Sequence, residues 1–161
     1  MRAALLLTAL IALPLAAQHP AGHDGLTPAE DSVVAVAKRL FDGMRAHDGA
    51  LLGSVFAEGA MLTGVPRAGQ PVTFRPATGF VAQASAPGEP WDEQIYDPEV
   101  RIDGGLATLY VFYTFSLGEK FSHCGVDAFW MIRTAEGWKI SALVDTRRGE
   151  GCETEGRHRV E

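Results

Sequence analysis

Residues 121–148, FSHCGVDAFWMIRTAEGWKISALVDTRR, decide the fold. Two runs rich in β-branched and aromatic residues, Phe121–Arg133 and Trp138–Arg147, meet at Ala135-Glu136-Gly137. That length and a turn glycine are what a β-hairpin requires. Along the first run the even positions Cys124, Val126, Ala128, Trp130 and Ile132 are apolar and read as an ordinary core face. The odd positions Phe121, His123, Gly125, Asp127, Phe129, Met131 and Arg133 mix aromatic with ionisable groups.

Working outward, Leu106–Leu117 and Gln94–Ile102 repeat the two-residue period. Asp103-Gly104-Gly105 and Gly118-Glu119-Lys120 separate them, again with glycine where a tight turn needs positive φ. Pro98 cannot donate to a ladder, so Gln94–Ile102 is expected at a sheet edge or across a bulge. N-terminal to this meander the period is helical. Thr27, Pro28 and Glu30 form a capping-box start, and Val33, Val36/Ala37, Leu40/Phe41 and Met44 give one apolar face. Asp48 is expected to cap a shorter helix containing Leu51, Leu52, Val55 and Phe56, with Gly59 ending it and a short strand over 60–65. Pro76–Ser85 reads as a third helix despite Gly79. Helices followed by an antiparallel meander make an α+β domain.

The ends read differently. Met1-Arg2, the apolar run Ala3–Leu13 and the small residues through Ala17 have the order of a secretory signal peptide, and the run is too short to span a bilayer. The expectation is export, secreted or periplasmic, with residues 18–26 a leader, 27–148 the domain and 149–161 a loose polar tail. Loss of Arg2 with the signal takes the formal charge from −6 to −7. An acidic chain without a Lys/Arg cluster argues against nucleic acid and anionic membranes as partners.

The pattern GVDAFWMIRTAEGWKI, after two helices and a short strand, resembles the nuclear transport factor 2-like superfamily over roughly residues 27–148. Within it the likeness is to small secreted bacterial members of the polyketide-cyclase-like and lumazine-binding type. The resemblance implies a cone-shaped α+β fold, N-terminal helices packed on a curved, mostly antiparallel sheet, a pocket between them and often a homodimer. The superfamily holds isomerases, dehydratases, cyclases and non-catalytic domains, so it does not fix the function.

Asp127 among Gly125, Phe129 and Met131 is what a polar anchor in an apolar pocket requires, and burial would raise its pKa toward general-base use. The alternative puts Asp127 on the convex side, facing solvent or a partner copy. His123 lies on the same face, but four strand residues span about 13 Å, so the two are not directly bonded. Register decides what faces Asp127. If Leu117 pairs with Phe121 it is Val111, and one residue of slip makes it Tyr110. By resemblance, a carboxyl–phenol pair with Tyr110 is the arrangement steroid isomerases use to stabilise an enolate. Tyr110, Phe112, Tyr113 and Phe115 either line a pocket for a flat apolar ligand or serve sheet packing. Asp145 faces a cavity mouth or pairs with a nearby Arg.

The expected ligand is therefore small and apolar or aromatic, held by Tyr113, Phe129 and Met131, with Asp127, His123 and Tyr110 as the candidate acid–base set. A third reading is an interaction module without catalysis. No cofactor loop, nucleophile elbow, HExxH or CxxC occurs. Metal ligation is confined to transient chelation by His19, His23 and Asp24 of the leader. Hairpin pairing places Cys124 opposite the neighbourhood of Arg147, within reach of Cys152, so an exported chain is expected to join Cys124 to Cys152.

Overall fold

The computed structural model describes residues 25–65 and 70–161; the expected signal segment, most of the expected leader and His19, His23 and Asp24 lie outside them. The first helix, α1, spans Pro28–Ala46. Thr27 caps it, accepting from the Glu30 amide, while the Glu30 carboxylate takes the Thr27 amide at 2.8 Å. His47 ends it at φ 52°, and Asp48 accepts the Leu51 amide to start α2, Gly49–Val55. Strand β1, Phe56–Gly64, begins directly after α2, four residues earlier than the sequence predicts. Next come β2, Arg75–Pro76, and α3, Ala77–Ala84. The meander is β3, Trp91–Asp103; β4, Leu106–Leu117; β5, Lys120–Thr134; and β6, Gly137–Asp145.

These strands form one sheet in the order β2-β1-β6-β5-β4-β3, antiparallel except where β1 runs parallel to β6. Pro98 behaves as its chemistry demands: β3 is the edge strand, and its register shifts between Tyr96 and Glu99. The inner face of the sheet meets α1. Val33, Ala37, Leu40, Phe41 and Met44 pack there with Leu109, Val111, Phe129, Met131 and Ile140. Phe41 meets Phe129 edge to face, ring centroids 6.3 Å apart.

Two expectations are corrected. The even positions of β5 are not the core. Asp127, Phe129 and Met131 face inward, while Trp130 and Ile132 are 50% and 40% exposed on the outer face. Both faces of this strand are apolar, and alternation alone cannot say which one the helices cover. The tail is not loose either. It folds back across the outer face, with the Val160 amide donating to Ile95 and the Asp97 amide to His158, at 3.0 and 2.9 Å. The Arg157 guanidinium lies 3.8 Å from the centroid of the Phe112 ring and bonds Asp97 at 2.8 Å. Cys152 is disulfide-bonded to Cys124, with their Cα atoms 5.5 Å apart. The segment straps one end of the outer face and covers part of the free edge of β3.

Candidate functional site

The inner face of β3–β6 and the helices leave a cavity of about 1400 Å³. Its position follows from a glycine. A Cβ on Gly125 would stand 1.8 Å from the Thr146 carbonyl oxygen and 2.9 Å from the Tyr113 ring, so only glycine lets the chain after β6 close in here. The Thr146 carbonyl accepts the Tyr113 hydroxyl at 2.8 Å, and the Thr146 hydroxyl accepts the Val126 amide at 3.0 Å. This knot fixes the backbone on either side of Asp127.

Asp127 projects inward from β5 between Val111 of β4 and Asp145 of β6. It lines the cavity yet is only 3% exposed, and its Oδ2 atom has no hydrogen-bond partner among the described residues. Burial pushes the Asp127 carboxyl up to about 7, opposed by a hydrogen bond from Glu93 and reinforced by the charge of Asp145. Glu93, buried on β3, is raised well above the usual carboxylate range, first by desolvation and then by the negative charge of Asp127. Two buried carboxyls joined by a hydrogen bond hold a proton between them, and it belongs to the pair.

The other polar groups are already committed. Arg147 Nε bonds Asp145 Oδ2 at 2.6 Å, which holds Arg147 above its usual value. Tyr113 is raised by burial and by the charge of Asp127, so its phenol stays protonated and donates to Thr146. Burial, and then the positive charge of Arg147, lower the His123 imidazole. It is neutral at pH 7, with Nδ1 2.9 Å from the Ser122 hydroxyl. A series of rings continues from His123: Phe115 at 5.0 Å, then Trp91 and Phe80, each 6.2 Å from the last.

The structure brings Asp127, His123 and Tyr113 to one cavity. Phe129 and Met131 are 1% and 0% exposed, belong to the closed core beneath it and do not line the cavity. Tyr110 is corrected most clearly. It faces Ala128 and stands half exposed on the outer face, away from Asp127. A bulge decides this. Leu117 pairs with Lys120 and Ser116 with Phe121, a register that would carry Tyr110 opposite Asp127; the shift at Ser116/Phe115 then sets Phe115 against His123 and Val111 against Asp127. Glu93 lies just outside the strand expected from Gln94, since β3 begins three residues earlier at Trp91. The alternation Trp91, Glu93, Ile95 was the available signal.

Neither family models nor curated proteins match the chain in sequence. Solved structures do match in shape. A nuclear transport factor 2-like protein of unknown function from Shewanella baltica superposes with TM-score 0.62 at 16% identity, over 78% of this chain and 100% of that one. A nuclear transport factor 2-like protein with a cystatin-like fold from Novosphingobium aromaticivorans gives 0.64 at 13% identity, over 81% and 94%. A candidate dehydratase of the same family from Streptomyces avermitilis gives 0.58 at 16% identity, over 74% and 96%. The chain thus has the nuclear transport factor 2-like, cystatin-like α+β cone fold.

Proposed function

We propose that this is an exported protein that holds a small, partly apolar ligand in its inner cavity, with Asp127 as the polar anchor. The observation that carries the reading is the partnerless Oδ2 of Asp127, buried yet on the cavity wall. A buried acceptor without a donor costs about 1–3 kcal/mol, which a ligand donor would recover. The apolar walls Phe80, Trp91 and Phe115 suit the remainder of such a ligand. Trp91 reports on occupancy. A screen of small hydrogen-bond donors should change its fluorescence, and Asp127→Asn should weaken the best binder by about tenfold or more. Equal binding by that variant would remove Asp127 from the reading.

A second reading, acid–base catalysis of the isomerase or dehydratase kind, is favoured by one further observation. A carboxyl near 7 is poised to take and return a proton at neutral pH. Asp127 would be the base, and Glu93, which shares a proton with it, its partner. The outer face suits a homodimer: Leu106, Tyr110, Trp130 and Ile132 form an exposed apolar surface beside the strap. No described helix is long and apolar enough to cross a membrane.

A further inference from the structure

The charges around the cavity do not balance at its floor. Glu93 and Asp127 lie together, and among the described residues no guanidinium or ammonium bonds either carboxyl. The nearby arginines each have another partner or face elsewhere, and Lys38 of α1 borders a smaller pocket beside Glu93 without bonding its carboxyl. Arg147 is held by Asp145 at 2.6 Å. Arg148 reaches the cavity mouth, but its guanidinium lies 5.5 Å from the Phe112 ring centroid, on the outer face. From α1, Arg45 bonds Asp42 and Asp92 and touches Glu93 only at its carbonyl oxygen, at 2.9 Å. Arg75 stands on the exposed strand β2 at the rim. Tyr113 is tied to Thr146, and His123 carries no charge at neutral pH to repel a cation. A buried acid pair with no cation is costly to a fold unless something else supplies the charge.

The wall beside the pair is built of rings. Phe80, Trp91, Phe115, His123 and Tyr113 follow one another at centroid separations of 6.2, 6.2, 5.0 and 5.7 Å, from α3 down to the flank of Asp127. Aromatic faces attract both an apolar body and a positive charge, indole most strongly. The rings and the orphaned carboxylate oxygen are independent observations, and they ask for the same kind of guest. We infer that the ligand is an organic cation: a small, partly apolar amine whose ammonium bonds the free oxygen of Asp127 beside Glu93, and whose apolar part lies on Trp91 and Phe115. This deepens the ligand-binding reading above and rests on it.

Ammonium is a donor only, so it needs Asp127 ionised, while the proton between the two carboxyls can stay where it is and leave Oδ2 free to accept. Binding therefore releases a proton where Asp127 is protonated beforehand, and it tightens as pH rises until the amine itself deprotonates. The groups facing the pair that could modify this are Asp145 and Arg147 beside β6, Tyr113 of β4 and His123 of β5.

The test uses three probes of one shape on the whole protein: phenethylamine, propylbenzene, in which a methyl replaces the ammonium, and 3-phenylpropionate. Binding is followed by tryptophan fluorescence and by calorimetry at pH 6.5 and 7.5, each in two buffers of different ionisation enthalpy. Phenethylamine should bind at least about tenfold more tightly than propylbenzene. It should release a fraction of a proton, larger at pH 6.5 than at 7.5, and the preference should shrink to within about twofold in Asp127→Asn and be reduced in Glu93→Gln. The second variant keeps the test open if the first does not fold. Propylbenzene binding as well as the amine would overturn the inference and leave an apolar pocket standing. Tightest binding by 3-phenylpropionate would overturn it in favour of an anion site. No binding by any of the three at millimolar concentration would remove the inference and the ligand-binding reading together.

Discussion

At Asp127, burial lifts the carboxyl to about 7, and Glu93 is lifted in the same direction. The folded values lie above the unfolded ones, near 4, so folding favours the protonated forms. The stability this pair allows is fully present below about pH 4 and is lost as pH rises through about 7. Asp127→Asn removes one titrating group while keeping its shape. In urea unfolding the variant should match the parent at pH 4 to within about 1 kcal/mol and exceed it at pH 8, by on the order of 4 kcal/mol for a shift of this size. Parallel pH profiles for the two proteins would show that Asp127 is not desolvated. Gly125 was legible as part of the motif, but its reason was not. Sequence gives no sign that the Thr146 carbonyl closes to within 1.8 Å of where a Cβ would stand.

Strands and straps tell a different story from single side chains. The hairpins, the cap at Thr27 and the edge position of β3 follow from local chemistry: glycine at φ 56° and 57° in two turns, a capping box, and a proline with no amide to give. Local rules reach that far. They do not reach the bulge between Phe115 and Ser116, a one-residue change that keeps Tyr110 away from Asp127. Nor do they reach the tail, whose polar, aperiodic residues find their partners on Phe112, Tyr96 and Asp97 of distant strands. The Cys124–Cys152 bridge closes a loop with a sequence separation of 28 residues. Chain-entropy arguments give such a loop about 3–4 kcal/mol. Replacing both cysteines by serine should lower stability by roughly that amount or less and raise amide exchange over 152–161 and at β3 residues 95–97. Unchanged exchange there would mean the ion pair and ring contacts hold the strap without the bridge.

Seen as one body, the protein has two unlike surfaces on the same sheet. The inner face is closed by α1 except at the cavity; the outer face is strapped at one end and apolar at the other, where Tyr110 and Trp130 are 52% and 50% exposed. Which face the helices would take was not legible, because β5 is apolar on both sides and periodicity carries no sign. The shape of the fold was legible, since helix caps, turns and a two-residue period all agreed on one architecture. If the outer patch joins two copies, Trp130→Glu should give a monomer by light scattering at micromolar concentration while leaving the fold intact. A monomeric parent would leave the patch without that role.

What the whole reading depends on is an uncompensated carboxyl inside the cavity. The direct measurement is a pH titration of the Asp127 carboxyl carbon by NMR on the intact protein, assigned with Asp127→Asn and repeated in Glu93→Gln. An apparent pKa near 7 that does not fall when Glu93 is replaced, because burial raises Asp127 and the Glu93 hydrogen bond opposes that rise, is the expected result for a desolvated carboxyl. A titration near 3.9, the value of a solvated aspartate, would place Asp127 in water and leave the cavity without its anchor.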